Sequence, residues 1–305
     1  MNKLVLIDGN AILHRAFHAL PPMNNNGTPT NAVYGFFSML FKIIEDLKPE
    51  YLIVCFDRAA PTFRKQMYVG YQATRPTVSN ELSPQFDLTD KALDSAKIVH
   101  YGVEGYEADD LIGTISRQAA EKQIQTIIVS GDRDLLQLVN SKVLMLAPVV
   151  GMTKMTLFDE TKVREKYGLN PIQIIDYKAL VGDSSDNYPG VSGIGPKGAE
   201  NLLSKYKTLE GIYEHISELP LGLQEKLAND AEQSALAKRL ATIVLDAPVK
   251  LEEDIAKISL LDSEGLKKAF QSLGFNSLQN KIPKIIEKEK PKIIEKKEDS
   301  QLGLL

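Results

Sequence analysis

The chain has 305 residues, 43% of them apolar and 25% charged, with 36 bases against 40 acids for a formal net charge of −4. These fractions exclude a mostly disordered polymer, and 20 glycines with 15 prolines exclude a collagen-like repeat. The length suffices for a sizeable core, in one large domain or two. No apolar run approaches the ~18 residues that cross a bilayer. Met1-Asn2-Lys3 leads directly into Leu4-Val5-Leu6-Ile7-Asp8, without the cleavage pattern of a secretory leader. A single cysteine, Cys55, excludes an internal disulfide and a zinc–cysteine cluster. The expectation is a soluble, cytoplasmic monomer with no membrane partner.

In chain order, three apolar runs read as buried parallel strands: 3–7, 51–56 and 126–130. Residues 143–147 predict a fourth. Helical spacing over 32–47 and 111–122 lies between them, so the pattern predicts an α/β fold around a mostly parallel central sheet. From Asn170 to about Leu278 the pattern turns helical, with short glycine and proline breaks, and predicts a smaller α-helical subdomain packed on the sheet. The expected division is a core over 1–170, a helical part over 171–280 and a charged tail over 281–305. That tail repeats Pro-Lys-Ile-Ile-Glu-Lys at 283–288 and 291–296, and twelve of its 25 residues are charged. It is read as flexible.

Acids stand at the ends of the predicted strands. Asp8 follows the first, Asp57 the second, and Asp132 and Asp134 the third. Ligands of open parallel sheets bind outside the carboxyl ends of the strands, although a single aspartate there is equally suited to capping the next helix. Glu107, Asp109 and Asp110 put three acids into the opening of one helix, more than a helix dipole accounts for. Asp183 and Asp186 form a fifth group just before the helical part. Nine converging carboxylates would raise one another's pKa values until some were neutral. Two hard divalent cations, Mg2+ or Mn2+, remove that penalty and suit all-oxygen ligands and phosphodiester hydrolysis. Without these nine, bases outnumber acids, so the net charge does not exclude a nucleic-acid partner.

Two further segments suit such a partner. Gly193 and Gly195, followed by Lys197, Lys205 and Lys207, make a turn through which backbone N–H groups reach a phosphate, and helix–helix connections also use such glycines. Between Arg58 and Asn80 there are four bases (Arg58, Arg64, Lys65, Arg75), no acid, and the aromatics Phe63, Tyr68 and Tyr71. Bases of a single strand stack on such rings; an amphipathic helix with its aromatics in the core fits the composition equally well.

Together these motifs resemble the 5′ nuclease (flap endonuclease) family, and within it the 5′→3′ exonuclease domain of bacterial DNA polymerase I. The carriers are Leu-Ile-Asp-Gly-Asn at 6–10, His-Arg-Ala-Phe at 14–17 and Thr-Asn-Ala-Val-Tyr-Gly-Phe at 30–36. They continue with Phe-Asp at 56–57, Pro-Thr-Phe-Arg at 61–64 and Glu-Gly-Tyr-Glu-Ala-Asp-Asp at 104–110. Ser-Gly-Asp-Arg-Asp-Leu-Leu-Gln-Leu at 130–138, Gly-Asp-Ser-Ser-Asp-Asn at 182–187 and Gly-Ile-Gly-Pro-Lys at 193–197 complete the set. The resemblance implies a PIN-like core with a helical arch over 62–100 and a helix–turn–helix element at 190–199 that grips duplex DNA and holds K+. It implies a first metal on Asp8, Asp57, Glu107 and Asp109, and a second served by Asp110, Asp132, Asp134, Asp183 and Asp186. Asp109 and Asp132 would be indispensable to catalysis. Arg15, Lys65 and Tyr71 would contact DNA beside the glycine turn.

The family's usual arch lysine is replaced here, since the run reads Tyr71-Gln72-Ala73-Thr74-Arg75. Gln72 keeps a donor and loses a cation, so Arg64, Lys65 or Arg75 would have to supply the charge. The expectation is that no polymerase domain follows, unless the chain is an excised fragment. The implied function is a stand-alone 5′→3′ exonuclease and 5′-flap endonuclease that processes flaps, nicks and RNA primers in replication and repair. A DNA-junction binder weakened at Gln72, or a ribonuclease of a related PIN-like fold, are the competing readings. The terminal Gln301, Leu302, Leu304 and Leu305 resemble the pentapeptides by which bacterial replication proteins dock on the β sliding clamp.

Overall fold

A computed structural model describes residues 2–150 and 154–282. Six strands form one sheet in the order Val99–Tyr101, Tyr51–Cys55, Lys3–Asp8, Gln125–Val129, Val143–Val150, Lys154–Phe158. All neighbours are parallel except the last, which pairs antiparallel with Val143–Val150. The four predicted strands are present with ends shifted by a residue or a few, and Val99–Tyr101 and Lys154–Phe158 extend the sheet at its edges.

Both faces of the sheet are covered, which is why its central strands read as continuous apolar runs. Side chains alternate along each strand. Leu4, Leu6, Ile53 and Cys55 point to a core shared with helix Ala108–Glu121. Val5, Ile7, Leu52 and Val54 point to the opposite core, under helices Gly9–Ala19, Asn31–Leu47 and Ser83–Ser95. The first core runs without interruption into the helical part, where Leu202, Leu203, Ile212 and Leu227 belong to it. The helical subdomain is therefore fused to one sheet face.

Two boundaries differ from expectation. The chain after Ile258 does not stay with the helical part. Helices Ser263–Ser272 and Asn276–Gln279 return to the opposite face, where Phe270 packs edge-on against Phe37 at 5.1 Å between ring centres. Segment 62–100 is likewise not one arch. Its latter half is helix Ser83–Ser95, anchored by buried Gln85, whose Oε1 accepts from the Ala32 N–H at 2.7 Å, and strand Val99–Tyr101 belongs to the sheet. Only the run from Ala73 to Glu81 is continuously exposed.

Candidate active site

The carboxyl ends of the strands open on a cleft of about 620 Å³, lined by Asp8, Asp57, Glu107, Asp109, Asp132, Asp134 and Asp186. Asp8 ends the first strand and caps the following helix, accepting the Ala11 N–H at 2.9 Å, while its other oxygen accepts the Ser130 hydroxyl at 2.6 Å. Ser130 in turn accepts the Asp132 N–H at 2.9 Å. The Asp57 N–H donates to Asn10 at 3.0 Å, and its carboxylate accepts the Ala108 N–H at 2.7 Å. Helix capping and a place in the cleft thus coexist in the same residues.

The electrostatics are those of acids stripped of water. Burial, opposed by the Ala11 and Ser130 bonds and reinforced by Asp57 and Asp132, pushes the Asp8 carboxyl up to about 7. Burial also raises Glu107 to about 7 against the pull of Arg64. Asp109 is raised well above the carboxylate range by burial and by the charges of Asp132 and Asp8. An all-oxygen set held this reluctantly ionised fits hard divalent cations.

A second group adjoins the first. The carboxylate oxygens of Asp134, Asp183 and Asp186 lie within 4.8 Å of one another. Asp183 and Asp186 are carried by the turn between the paired residues 182–183 and 188–189. That turn closes because Gly182 and Gly190 have no side chains: a Cβ on Gly182 would stand 2.5 Å from the Gly190 nitrogen. Burial and the Asp132 charge push Asp134 up to about 7. For Asp183 burial acts upward, and an ion pair with Lys178 plus the Ser185 and Asp186 N–H groups outweighs it, leaving the carboxyl below its usual range. Lys178, on helix Gln173–Val181, pairs with both Asp134 and Asp183. Sequence reading missed Lys178 and Ser130. The only signal for Lys178 is a base on a mostly apolar helix, five residues before Asp183.

Three expected site residues have their polar groups committed within the protein. Asp110 is fully buried, and both oxygens are taken: Arg64 binds it through two bonds of 2.8 Å, and the Val244 and Glu107 N–H groups donate at 2.9 and 3.1 Å. It serves as the buried partner of Arg64. Arg64, 2% exposed, spends its remaining donors on Glu107 at 3.1 Å and on the Leu240 and Thr242 carbonyls at 2.9 and 2.8 Å. With all five N–H groups committed, it cannot stand in for a mobile arch cation. Tyr71 is buried too. Its ring stacks on Tyr188 at 6.3 Å and its hydroxyl lies 3.2 Å from the carboxylates of both Glu107 and Asp186, so no base can stack on it here. Gln72 and Arg75 do line the cleft, and Arg75 pairs with Asp186.

Of the expected DNA contacts, Arg15 is half-buried on helix Gly9–Ala19 and Lys65 is exposed on the short helix Phe63–Met67. Gly193 has φ +75°, and Gly195 precedes helix Pro196–Tyr206, whose first turn carries exposed Lys197. Lys205 lies at the far end, bonded to the Tyr206 hydroxyl at 2.6 Å. Within the glycine turn expected to hold K+, the Gly193 carbonyl accepts from Lys226 Nζ at 3.2 Å. Gln301, Leu302, Leu304 and Leu305 lie outside the described residues. Among the described residues, no helix is long and apolar enough to cross a membrane.

A family model for the N-terminal, resolvase-like domain of 5′-3′ exonucleases matches residues 3–168, and one for their C-terminal SAM fold matches residues 169–264. The chain belongs to the 5′-3′ exonuclease family. Its family is one of nucleases, and the two models meet at residues 168–169. DNA polymerase I of Chloroflexus aurantiacus is 42% identical over 288 residues, covering 92% of this chain and 30% of that protein. DNA polymerase I of Bacillus subtilis is 41% identical over 282 residues, covering 92% and 32%. The chain thus spans about a third of the length of these relatives. Among solved structures, the bacteriophage T5 D15 protein co-crystallised with metal ions superposes with a TM-score of 0.65 at 21% identity, covering 94% of this chain and 99% of that one. The catalytic core of Rad2 in complex with DNA gives 0.60 at 15%, covering 94% and 92%. At those identities the likeness establishes the fold.

Proposed function

We propose that this 5′-3′ exonuclease-family chain hydrolyses DNA phosphodiesters beside a junction of duplex and 5′ single strand, removing 5′ flaps and primers during replication and repair. The observation that carries this reading is the convergence of seven carboxylates, all but Asp57 buried or half-buried, on one cleft at the carboxyl edge of the sheet. Asp8, Asp57, Glu107 and Asp109 would hold one divalent ion, and Asp132, Asp134, Asp183 and Asp186 a second. When bound, two Mg2+ or Mn2+ ions supply an activated water and charge stabilisation for the leaving oxygen. The chain's own part is to keep these carboxylates desolvated and fixed, with Ser130 orienting Asp8 and Asp132. Gln72 and Arg75 offer the nearby N–H donors on the cleft wall.

The duplex would rest on the glycine turn, with Lys197 at a phosphate. A potassium ion there would share the Gly193 carbonyl with Lys226. We infer further that the terminal pentapeptide docks on the β sliding clamp and that the enzyme acts as a cytoplasmic monomer. The deciding experiment is incubation with a 5′-flap DNA. Cleavage near the junction should require Mg2+ and fall at least a thousandfold, on the order seen for essential groups, in Asp109→Ala and Asp132→Ala. Undiminished cleavage in excess EDTA sinks the reading, and tight flap binding without cleavage would favour a junction-binding protein.

A further inference from the structure

Lys178 stands where the second metal group needs a cation. Its side chain is only 16% exposed, and its ammonium pairs with one oxygen of Asp134 and one of Asp183. Those carboxylates, with Asp186, are the three whose oxygens lie within 4.8 Å of one another. So small a triangle has room for one positive centre, and the ammonium and a divalent ion compete for the same carboxylates. A second feature points into this group. Tyr188, 4% exposed, has a hydroxyl with no hydrogen-bond partner among the described residues, and its charged surroundings are Lys178, Asp134, Asp183 and Asp186. A buried hydroxyl without a partner is costly. Its oxygen is an acceptor of the right kind for an ammonium that has left the carboxylates.

We propose that Lys178 is the resident counter-cation of the second ion's seat, which it vacates toward the Tyr188 hydroxyl when a divalent ion enters. Lys178 is then a positioning residue. It keeps Asp134 and Asp183 together in the metal-free protein and sets a threshold concentration below which the second ion is not taken up. The two residues act in opposite directions: removing the lysine removes the competitor, whereas removing the hydroxyl removes the competitor's retreat. The inference rests on the two-ion reading above, and its test separates the two.

Mn2+ is titrated calorimetrically into the full chain, stripped with EDTA and dialysed. The wild type should take up two ions, the second more weakly. Lys178→Met should tighten the second by roughly tenfold or more, the scale on which one adjacent charge shifts a carboxylate equilibrium. Lys178→Arg, which keeps the charge, should leave it weak, and Tyr188→Phe should weaken it severalfold. Lys178→Met should also melt lower than wild type in EDTA and recover with Mn2+. Should Lys178→Met fail to fold, acetylation of wild-type lysines read by mass spectrometry still decides. The extent of Lys178 modification should change when Mn2+ is added. A second-ion affinity unchanged in Lys178→Met, or Lys178 labelling indifferent to Mn2+, overturns the inference while leaving nuclease activity intact. A wild type that binds no Mn2+ and cuts no flap overturns both readings.

Discussion

Asp8 shows how a side chain with a structural duty can also be drawn into chemistry. One oxygen caps a helix and the other takes a hydroxyl, yet the carboxyl remains at the cleft. Asp8, Glu107 and Asp134 are each pushed up to about 7, chiefly by burial. Because the folded values exceed the unfolded ones of about 4, the folded state holds the extra protons. The stability they contribute is therefore full below about pH 4 and is lost as the pH rises toward 7. We expect the metal-free protein to melt lower at about pH 8 than at pH 5, by an amount on the order of a few kcal/mol, and Mg2+ to reverse the loss. Calorimetry in EDTA checks this, and a melting temperature that rises over the same interval contradicts it. Gln72 is the other residue of interest. It sits on the cleft wall with φ +55°, its backbone N–H donating to the Asp186 carbonyl at 2.8 Å. An oriented cation at a developing charge is worth about 3 kcal/mol, so Gln72→Lys should raise the single-turnover rate by roughly a hundredfold. An unchanged rate would show that Arg75 already fills the role.

Helix Ala108–Glu121 explains why one acid of the Glu107–Asp110 group left the site. Asp110, Thr114 and Gln118 recur every four residues, so they form one row along the helix. That row holds the segment 244–251: Asp110 accepts the Val244 N–H at 2.9 Å, Thr114 the Ala247 N–H at 3.0 Å, and Gln118 the Leu251 N–H at 2.7 Å. Gly113 lets the strap lie close, since a Cβ there would meet Ile243 at 2.7 Å. Asp110→Asn should therefore cost about 3 kcal/mol of stability, the cost of taking from buried Arg64 its two-bonded anion and leaving it only Glu107, while the number of bound metal ions stays unchanged. Thermal melts and metal titration of the same variant measure both. The sheet strands and the acids at their ends were legible in the sequence because burial on two faces leaves apolar runs, and each acid directly follows or closely trails one. The fate of Asp110 was not legible, because its neighbours 244–251 are distant in sequence and bond through backbone groups. Tyr71, expected at the DNA by resemblance, was undecided by composition, which cannot tell a ring that stacks on Tyr188 from one left for a base.

Across the whole molecule, catalysis and grip fall, under the proposed function, to different parts of a single folded body. The carboxylates come from strand ends and from the 182–187 turn, while the glycine turn stands at the head of helix Pro196–Tyr206. The first core runs through both parts, so their relative placement is fixed by packing. Ser263–Ser272 closes the opposite face, and Phe270→Ala, which empties a site among Phe37, Phe41 and Phe275, should cost about 3–5 kcal/mol without altering either function. The division itself is testable at Lys197, which is exposed at the first turn of that helix and remote in sequence from every carboxylate lining the cleft except Asp186. A phosphate contact there contributes to binding equally before and during the reaction, so its loss should raise the DNA concentration needed for half-saturation and leave the saturated rate alone. Lys197→Ala should bind flap DNA severalfold more weakly, and the slope of log affinity against log salt should shrink by about 0.9, the value for one released counterion. Asp132→Ala should do the reverse, abolishing the saturated rate while the salt slope persists. A Lys197→Ala enzyme whose saturated rate falls with an unaltered salt slope would place Lys197 in the cleft's chemistry and would remove the glycine turn from the duplex grip.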